Sequence, residues 1–114
     1  PIYITESGMA CCDDRWRILY MVVHFNALRE AMDRGVDVRG FFHWSLLDNY
    51  EWGSFVPRFG LVDVNRRTLE RTPKPSAAFY REVIEANGVT RALIRKYLPE
   101  WPEFTAYSET TQDR

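Results

Sequence analysis

The segment VDVRGFFHW, residues 36–44, decides the fold class, because it has the length and apolar content of a strand buried on both faces. Residues Ile2–Thr5 form a shorter strand of the same kind. Between the two strands, apolar side chains recur three and four positions apart and predict one stripe of a long helix that begins at residue 14. That stripe comprises Trp16, Leu19, Tyr20, Val23, Ala27, Leu28 and Ala31. Strand, helix and strand in this order predict a βαβ unit with parallel strands.

Capping residues set the ends of the predicted helices. Asp13 or Asp14 can accept the free amide hydrogens at the start of the first helix, and Gly35 suits the left-handed position past its end. Further along, the chain predicts a short strand extension or turn at Val62–Val64 and a rigid connector at Thr72–Ser76. Two more helices are predicted: one over residues 77–87, capped by Ser76 and stopped by Gly88, and one from Thr90 through Tyr97.

Composition places the chain among globular domains and excludes several classes of function. The 114 residues are 46% hydrophobic and carry a formal net charge of −1, which suits one small domain and gives no electrostatic case for binding nucleic acid. No apolar run approaches the roughly 20 residues of a membrane-spanning helix, so no membrane association is predicted.

The two cysteines, Cys11 and Cys12, are adjacent in sequence. Neighbouring cysteines rarely form a disulfide with each other, and two thiols without a nearby His or Cys set do not make a zinc site. We therefore expect a pair of reduced thiols in a loop, which favours a reducing compartment and a cytoplasmic location. The chain begins at Pro1 directly before a strand, and we expect it to be a piece of a longer protein.

Two parallel strands joined by one helix do not make a stable sheet. Both outer edges would expose unpaired backbone groups, and neither strand has a polar face to turn to water. The sequence therefore predicts that more strands are needed than it contains. The order strand–helix–strand–helix leaves two architectures open, an open doubly wound sheet and a (β/α)₈ barrel.

Polar side chains follow both predicted strands where each one ends. The first strand leads into Glu6, Ser7 and Gly8, and the second leads through Trp44 to Glu51 and Trp52. Ligands of α/β folds bind at the carboxyl ends of parallel strands, because the loops there share one opening. Indole faces stack on the C–H-rich faces of pyranoses, and carboxylates accept hydrogen bonds from hydroxyls. Two indoles and two carboxylates at one opening therefore indicate a sugar site.

Four motifs in order along the chain resemble the C-terminal part of glycoside hydrolase family 1, the β-glucosidases and β-galactosidases. They are ITESG at residues 4–8, WSLLDNYEW at 44–52, RFGL at 58–61 and RTPKPSAAFYREVI at 71–84. The resemblance extends from Pro1 to about Gly88. It implies a (β/α)₈ TIM barrel of which this chain supplies about the last quarter, strands seven and eight with their helices. Residues 1–104 would belong to that barrel, and residues 105–114 would be a polar, frayed tail.

The resemblance also implies a role for each matching residue. Glu6 matches the catalytic nucleophile, although Ser7 stands where the family's motif has asparagine. Trp44 matches the aromatic platform beneath the sugar, Glu51 the carboxylate that binds its 4- and 6-hydroxyls, and Trp52 the indole that donates to its 3-hydroxyl. Phe59 matches an aromatic wall near the 6-hydroxymethyl group.

From these roles the resemblance implies a retaining β-glycosidase that removes terminal non-reducing β-D-glucosyl, galactosyl or fucosyl residues. The reaction would pass through a covalent glycosyl-enzyme at Glu6 and need no metal or organic cofactor. The family's acid/base glutamate, with its asparagine neighbour, has no counterpart in this chain. The expected partners are the β-glycoside substrate and the N-terminal remainder of the same barrel; a homo-oligomer is also compatible.

Several residues near the predicted site are expected to have structural roles. Asp48 and Asn49 are expected to shape their loop, and His43 to be a hydrogen-bonded structural histidine. Lys74, Arg66 and Arg67 are expected to be solvated surface residues. Two other functions stay open: a sugar-binding or scaffold module without hydrolysis, which would not need Glu6 at a strand end, and an open-sheet α/β protein of unrelated function.

Overall fold

The computed structural model describes residues 1–101, so the tail predicted for residues 105–114 lies outside the described residues, as do residues 102–104. In the described range the elements are β1 (Ile2–Ser7), α1 (Asp14–Asp33), β2 (Val38–His43), β3 (Val62–Val64), β4 (Arg71–Pro73), α2 (Pro75–Ala86) and α3 (Arg91–Tyr97). Of these, β4 was not predicted; it pairs antiparallel with β3 and replaces part of the expected connector. No helix within residues 1–101 has the length and apolarity to cross a membrane.

Strands β1 and β2 pair in parallel, which confirms the predicted βαβ unit. In their register Tyr3 faces Gly40, and a Cβ on Gly40 would lie 2.7 Å from the Tyr3 ring. Strand β2 begins two residues later than predicted, because Val36 takes part in the hydrogen bonding that closes the end of α1. Its amide donates to the carbonyl of Ala31 at 3.1 Å, while Gly35 has a φ of 92°. This is a Schellman ending, with Gly35 in the predicted left-handed position.

The predicted caps are right for α1 and α3 and wrong for α2. Asp13 accepts the Arg15 amide at 3.0 Å, and Thr90 accepts the Leu93 amide at 3.2 Å. Helix α2 instead begins at Pro75, whose fixed φ suits the first helical position. The N-cap residue of this helix is Lys74, which makes no side-chain capping bond.

The far end of α2 also differs from the prediction. Asn87, with a φ of 51°, takes the left-handed position one residue before Gly88. Asparagine tolerates this conformation better than most residues, which is why the helix can end there without glycine.

The apolar core lies among the three helices rather than around the strands. Its buried members are Ile18, Met21, Val22, Leu61, Phe79, Val83, Leu93, Ile94 and Leu98. The stripe predicted for α1 is therefore partly wrong: Ile18, Met21 and Val22 are buried, whereas Trp16 and Val23 are exposed. The contacts with α2 and α3 select the buried face, and periodicity alone could not identify those partners.

The predicted burial of both strands concerns a sheet with more strands than this chain contains, and residues 1–101 do not test it. Tyr3 of β1 and Phe42 of β2 are each more than half exposed. Within the described residues this sheet has only its two strands, so one edge of each strand and much of both faces stay uncovered. Cys11 and Cys12 are free thiols in the loop between β1 and α1, as predicted.

Candidate functional site

The carboxyl ends of β1 and β2 border an open cleft of about 320 Å³. All five residues that the sequence singled out line this cleft, together with three that it did not assign to the site. The lining residues are Glu6, Ser7, Gly8, Tyr20, Trp44, Glu51, Trp52 and Phe59. The structure thus brings together side chains that are up to 53 positions apart in sequence, from Glu6 to Phe59. No Lys or Arg lines the cleft in the part of the chain that the structure describes.

The floor of the cleft at β1 depends on a close approach of the two strand ends. Glu6 is exposed, one position before the end of β1. The Trp44 amide donates to the Ser7 carbonyl at 2.9 Å. A Cβ on Gly8 would lie 1.9 Å from the Trp44 carbonyl oxygen, so a side chain there would push the strand ends apart. Gly8 therefore lets the Glu6 segment and Trp44 sit side by side.

Tyr20 is a lining residue that sequence reasoning missed. Its hydroxyl lies 3.0 Å from Ser7 Oγ, and its ring stacks on His24 with the ring centroids 3.8 Å apart. The hydroxyl thereby fixes the residue next to Glu6 from the side of α1. The available signal was the replacement of asparagine by serine in the ITESG motif, which leaves a short hydroxyl that needs a partner.

Trp44 and Glu51 are joined directly. The indole Nε1 of Trp44 donates to Glu51 Oε1 at 2.8 Å, and the Trp44–Ser45 peptide is cis. A hydrogen bond to a carboxylate is among the stronger ones available to an indole, and it orients both groups. Because Trp44 is 39% exposed, part of its indole remains open to the cleft.

Trp52 is carried on the tip of a tight turn from Glu51 to Ser54. The two end residues exchange backbone hydrogen bonds of 2.7 and 3.1 Å. Trp52 and Gly53 have φ values of 47° and 102°, the signs that a type I′ turn requires. A tryptophan rarely adopts this conformation, and here it leaves the indole fully exposed beside the cleft.

Phe59 is held through its backbone. Its carbonyl accepts the Ser45 amide at 3.2 Å and lies 3.3 Å from His43 Nε2, which must donate because the carbonyl can only accept. Burial lowers the pKa of His43, while the bond to Phe59 opposes that shift. His43 is thus the hydrogen-bonded structural histidine that the sequence predicted.

The loop after β2 is anchored by two cations that were expected to be solvated. The Lys74 side chain is only 13% exposed, and its ammonium binds the carboxylate of Asp48. Arg66 is exposed as predicted, yet its guanidinium donates to the Asp48 carbonyl and lies 4.4 Å from the centre of the Phe55 ring. Asn49 donates to Ser45 Oγ and to the Leu47 carbonyl, so the loop-shaping role predicted for Asp48 and Asn49 is right. The position of Lys74 between two prolines was the one sequence signal of a fixed lysine.

Arg17 is a further residue that sequence reasoning missed, and it ties the loops of the two strands together. It is 1% exposed, pairs with Asp14, and donates to the backbone carbonyls of Cys11 and Arg58. The Cys11 amide donates to the same Arg58 carbonyl at 3.2 Å. An arginine inside an apolar helical run was the available signal, because such a residue is seldom buried without a partner.

Comparisons with known proteins place these features in a family. The model of glycosyl hydrolase family 1 matches residues 1–89. A β-galactosidase from Sulfolobus acidocaldarius is 46% identical over 94 residues, which cover 82% of this chain and 19% of that protein. The solved structure of a β-glycosidase from Pyrococcus horikoshii superimposes with a TM-score of 0.81 at 45% identity, covering 85% of this chain and 23% of that one. A hyperthermophilic β-glucosidase from Pyrococcus furiosus gives a TM-score of 0.79 at 44% identity, over 89% of this chain and 22% of that one.

The chain therefore spans about a fifth of the length of the curated relatives that it matches. The residues that the family model matches include β1, α1, β2 and all the residues that line the cleft. The predicted resemblance is confirmed, and the fold is that of the (β/α)₈ glycosidases which these structures represent.

Proposed function

The chain belongs to glycosyl hydrolase family 1, and on that premise we propose that it is the C-terminal part of a retaining β-glycosidase. In this proposal β1 and β2 are strands seven and eight of the (β/α)₈ barrel. One observation carries the proposal: Glu6, Trp44 and Glu51 line a single cleft at the carboxyl ends of two parallel strands. Barrel enzymes place their catalytic groups at this end of the strands.

Glu6 is the proposed nucleophile. Its carboxylate attacks the anomeric carbon and forms a glycosyl ester, while a second, protonated carboxyl gives its proton to the departing oxygen. Water then attacks the same carbon, the second carboxylate takes a proton from that water, and Glu6 leaves as a free carboxylate. The exposure of Glu6 at the strand end supports this role, because the attacking oxygen must reach the substrate.

The other cleft residues bind the sugar in this proposal. Trp44 stacks beneath the ring, Glu51 accepts from the 4- and 6-hydroxyls, and the Trp52 indole donates to the 3-hydroxyl. The bond between Trp44 Nε1 and Glu51 supports a preformed arrangement of platform and acceptor. Phe59 supplies the wall near the 6-hydroxymethyl group and is half-buried, in keeping with a side chain set into the cleft edge.

The proposed substrate is an unphosphorylated β-D-glycoside. Glu51 would repel a 6-phosphate, and no Lys or Arg lines the cleft among residues 1–101 to compensate it. The specificity constant for an aryl β-D-glucoside should exceed that for its 6-phosphate by at least about a hundredfold, which is about 2.7 kcal/mol. Equal rates on the two substrates would contradict this assignment.

The working enzyme also needs the remaining strands of the barrel as its partner. The exposed edges of β1 and β2 support this, as does the lack of an acid/base glutamate motif in the sequence. The complete barrel is this chain joined to the first six strands. These strands come either from its own longer polypeptide or from the Pyrococcus horikoshii β-glycosidase, in which this chain replaces the matching segment. In the complete barrel, the second carboxyl should lie roughly 5–5.5 Å from the Glu6 carboxyl.

The test of the proposed function is the Glu6→Gly variant of the complete barrel. Its kcat for an aryl β-glucoside should fall by several orders of magnitude, because the covalent step is removed. Its circular dichroism and thermal midpoint should stay close to those of the parent, since Glu6 is exposed. Full activity of this variant would refute the proposal, and tight sugar binding without any turnover in the parent would favour the binding-module alternative.

A further inference from the structure

We propose that Lys74 and Asp48 form a clamp that fixes the cleft loop, residues 48–60, and thereby makes Lys74 a positioning residue for sugar specificity. The role in specificity rests on the proposed function, whereas the clamp itself rests only on the contacts of Lys74 with Asp48 and Gly60. Neither residue lines the cleft. Lys74 acts from the start of α2, across the loop from the sugar.

The clamp is a buried ion pair with its donors matched to acceptors. The side chains of Lys74 and Asp48 are 13% and 9% exposed. Lys74 Nζ lies 3.0 and 2.8 Å from the two Asp48 carboxylate oxygens and 2.7 Å from the Gly60 carbonyl oxygen. An ammonium has three hydrogens to donate, and these acceptors can use all of them. One lysine therefore binds both ends of the loop at once.

The two ends of the loop also contact each other. The Gly60 amide donates to Asp48 Oδ1 at 2.7 Å. A Cβ on Gly60 would lie 2.2 Å from the Asp48 amide nitrogen, so the backbones pass too closely for any side chain at position 60. A compact loop of this length with touching ends is an Ω-type loop.

The residues carried by this loop are those assigned to the sugar. Glu51 and Trp52 lie at its tip, in a turn whose backbone bonds join Glu51 to Ser54. Phe59 lies next to Gly60 at its base. The turn is held from outside the loop by the bond from Trp44 Nε1 to Glu51, and its placement over β1 depends further on how the base of the loop is held. Glu6, in contrast, lies on β1 outside the loop.

Helix α2 supplies the fixed point for the clamp. The Lys74 amide donates to the Leu61 carbonyl at 2.8 Å, and Pro75 begins α2 directly after it. Ser76 follows, fully buried, and its amide and hydroxyl donate to Asp14 at 2.7 and 2.8 Å. Lys74 thus projects from a segment that is bound both to α1 and to Leu61, the residue that follows the cleft loop. Removing its charge would leave the Asp48 carboxylate buried without its counter-ion.

A loosened clamp should harm recognition by Glu51 more than attack by Glu6. The pair of substrates that separates these effects is an aryl β-D-glucoside and the aryl 6-deoxy-β-D-glucoside, which lacks the 6-hydroxyl. In the complete barrel, Lys74→Met should lower the ratio of their specificity constants by about tenfold, because only the glucoside depends on the 6-hydroxyl contact. A variant that merely destabilised the fold would lower both constants equally and leave the ratio unchanged.

Hydrogen exchange provides a second readout that does not depend on catalysis. In Lys74→Met the amides of residues 49–59 should exchange at least about tenfold faster than in the parent, while those of α1 stay unchanged. Lys96→Met is the matched control, because Lys96 also binds a carboxylate, that of Glu82, but on the exposed surface of α3. It should change neither the exchange of the loop nor the substrate ratio.

The double variant Lys74→Met/Asp48→Asn covers the case in which Lys74→Met does not fold. It removes both charges, so the penalty of an unpaired buried carboxylate disappears while the clamp stays open. Unchanged loop exchange in the folded variants would overturn the clamp, and faster exchange with an unchanged substrate ratio would overturn its role in specificity. If the parent hydrolyses neither glycoside, the proposed function fails, and the exchange data still decide whether the clamp exists.

Discussion

Among single residues, Glu51 offers a direct test of how the sugar is bound in the transition state. It is bonded to Trp44 Nε1 and, in our proposal, to two sugar hydroxyls. Glu51→Gln keeps the shape but removes the charge, so it weakens hydrogen bonds that strengthen in the transition state. We expect kcat and kcat/KM for an aryl β-glucoside to fall together by about 10–100-fold, or about 1.4–2.7 kcal/mol. A rise in KM with kcat unchanged would show instead that Glu51 binds ground state and transition state alike.

Tyr20 gives a second prediction for a single residue. Tyr20→Phe removes the hydroxyl that lies 3.0 Å from Ser7 Oγ but keeps the ring stacked on His24. Loss of one neutral hydrogen bond should raise the activation free energy by about 0.5–1.5 kcal/mol, because the Glu6 segment is held less well, and this lowers kcat by about 2–10-fold. Steady-state kinetics of the complete barrel test this, with Tyr3→Phe, which removes a hydroxyl that does not line the cleft, as the control. An effect as large as that of Glu6→Gly would mean that Tyr20 itself takes part in the chemistry.

Sequence reasoning found the residues whose position follows from local pattern and missed those that depend on tertiary contacts. Glu6 and Trp44 could be placed because each lies at the end of an apolar strand. Lys74 and Arg17 were missed, because Lys74 binds a carboxylate 26 positions away and Arg17 a backbone carbonyl 41 positions away. The local sequence carried only an indirect signal that either cation is buried. The same limit applies to Tyr20, whose hydroxyl bonds a residue 13 positions earlier.

At the scale of elements, the junction between α1 and α2 is held by Ser76. It is fully buried and gives two hydrogen bonds to the Asp14 carboxylate, which also pairs with Arg17. Ser76→Ala removes the hydroxyl bond to a charged group, so we expect a loss of about 1.5–3 kcal/mol in the free energy of unfolding. Urea unfolding of the complete barrel measures it. Thr90→Ala, which removes the cap of α3, should cost about 1 kcal/mol in comparison. Equal losses of stability in the two variants would argue against a charge-assisted hydrogen bond between Ser76 and Asp14.

Strand β2 has a pH-dependent contact with the loop. Burial lowers the pKa of His43 below its ordinary value of about 6.5, so the folded state keeps the imidazole neutral where the unfolded chain would bind a proton. The His43 contribution to stability is therefore complete above about pH 6.5 and is lost as the pH falls from there towards the lowered pKa. Thermal midpoints of the parent and of His43→Gln at pH 8 and pH 5.5 test this. The parent should lose more stability than the variant, and parallel losses would contradict the assignment.

Helix and strand types followed from periodicity, but the elements that cover the strands did not. The βαβ order and the Gly35 ending were predictable because they depend on neighbours in sequence. The element that covers Tyr3 and Phe42 was not predictable, since it depends on what packs against the sheet. Apolar composition shows that a face is suited to burial and leaves open what covers it.

At the scale of the whole molecule, residues 1–114 alone should not be the working unit. Large apolar side chains on both strands and their loops are exposed, among them Tyr3, Phe42, Leu46 and Val56. The isolated chain should therefore associate or bind a hydrophobic dye, and it should not hydrolyse an aryl β-glucoside, because general acid catalysis alone contributes about 10²–10⁴-fold. Size-exclusion chromatography and an activity assay test this. A monomeric, cooperatively unfolding and active 114-residue chain would contradict it.

The covalent intermediate proposed at Glu6 can be trapped with a mechanism-based 2-deoxy-2-fluoroglucoside. The fluorine slows both steps, and a good leaving group lets the glycosyl-enzyme accumulate. After proteolysis of the labelled complete barrel, we expect the tryptic peptide ending at Arg15 to carry the sugar, with fragmentation assigning it to Glu6 rather than Asp13 or Asp14. Labelling of any other residue, or turnover without a labelled peptide, would show that Glu6 is not the nucleophile.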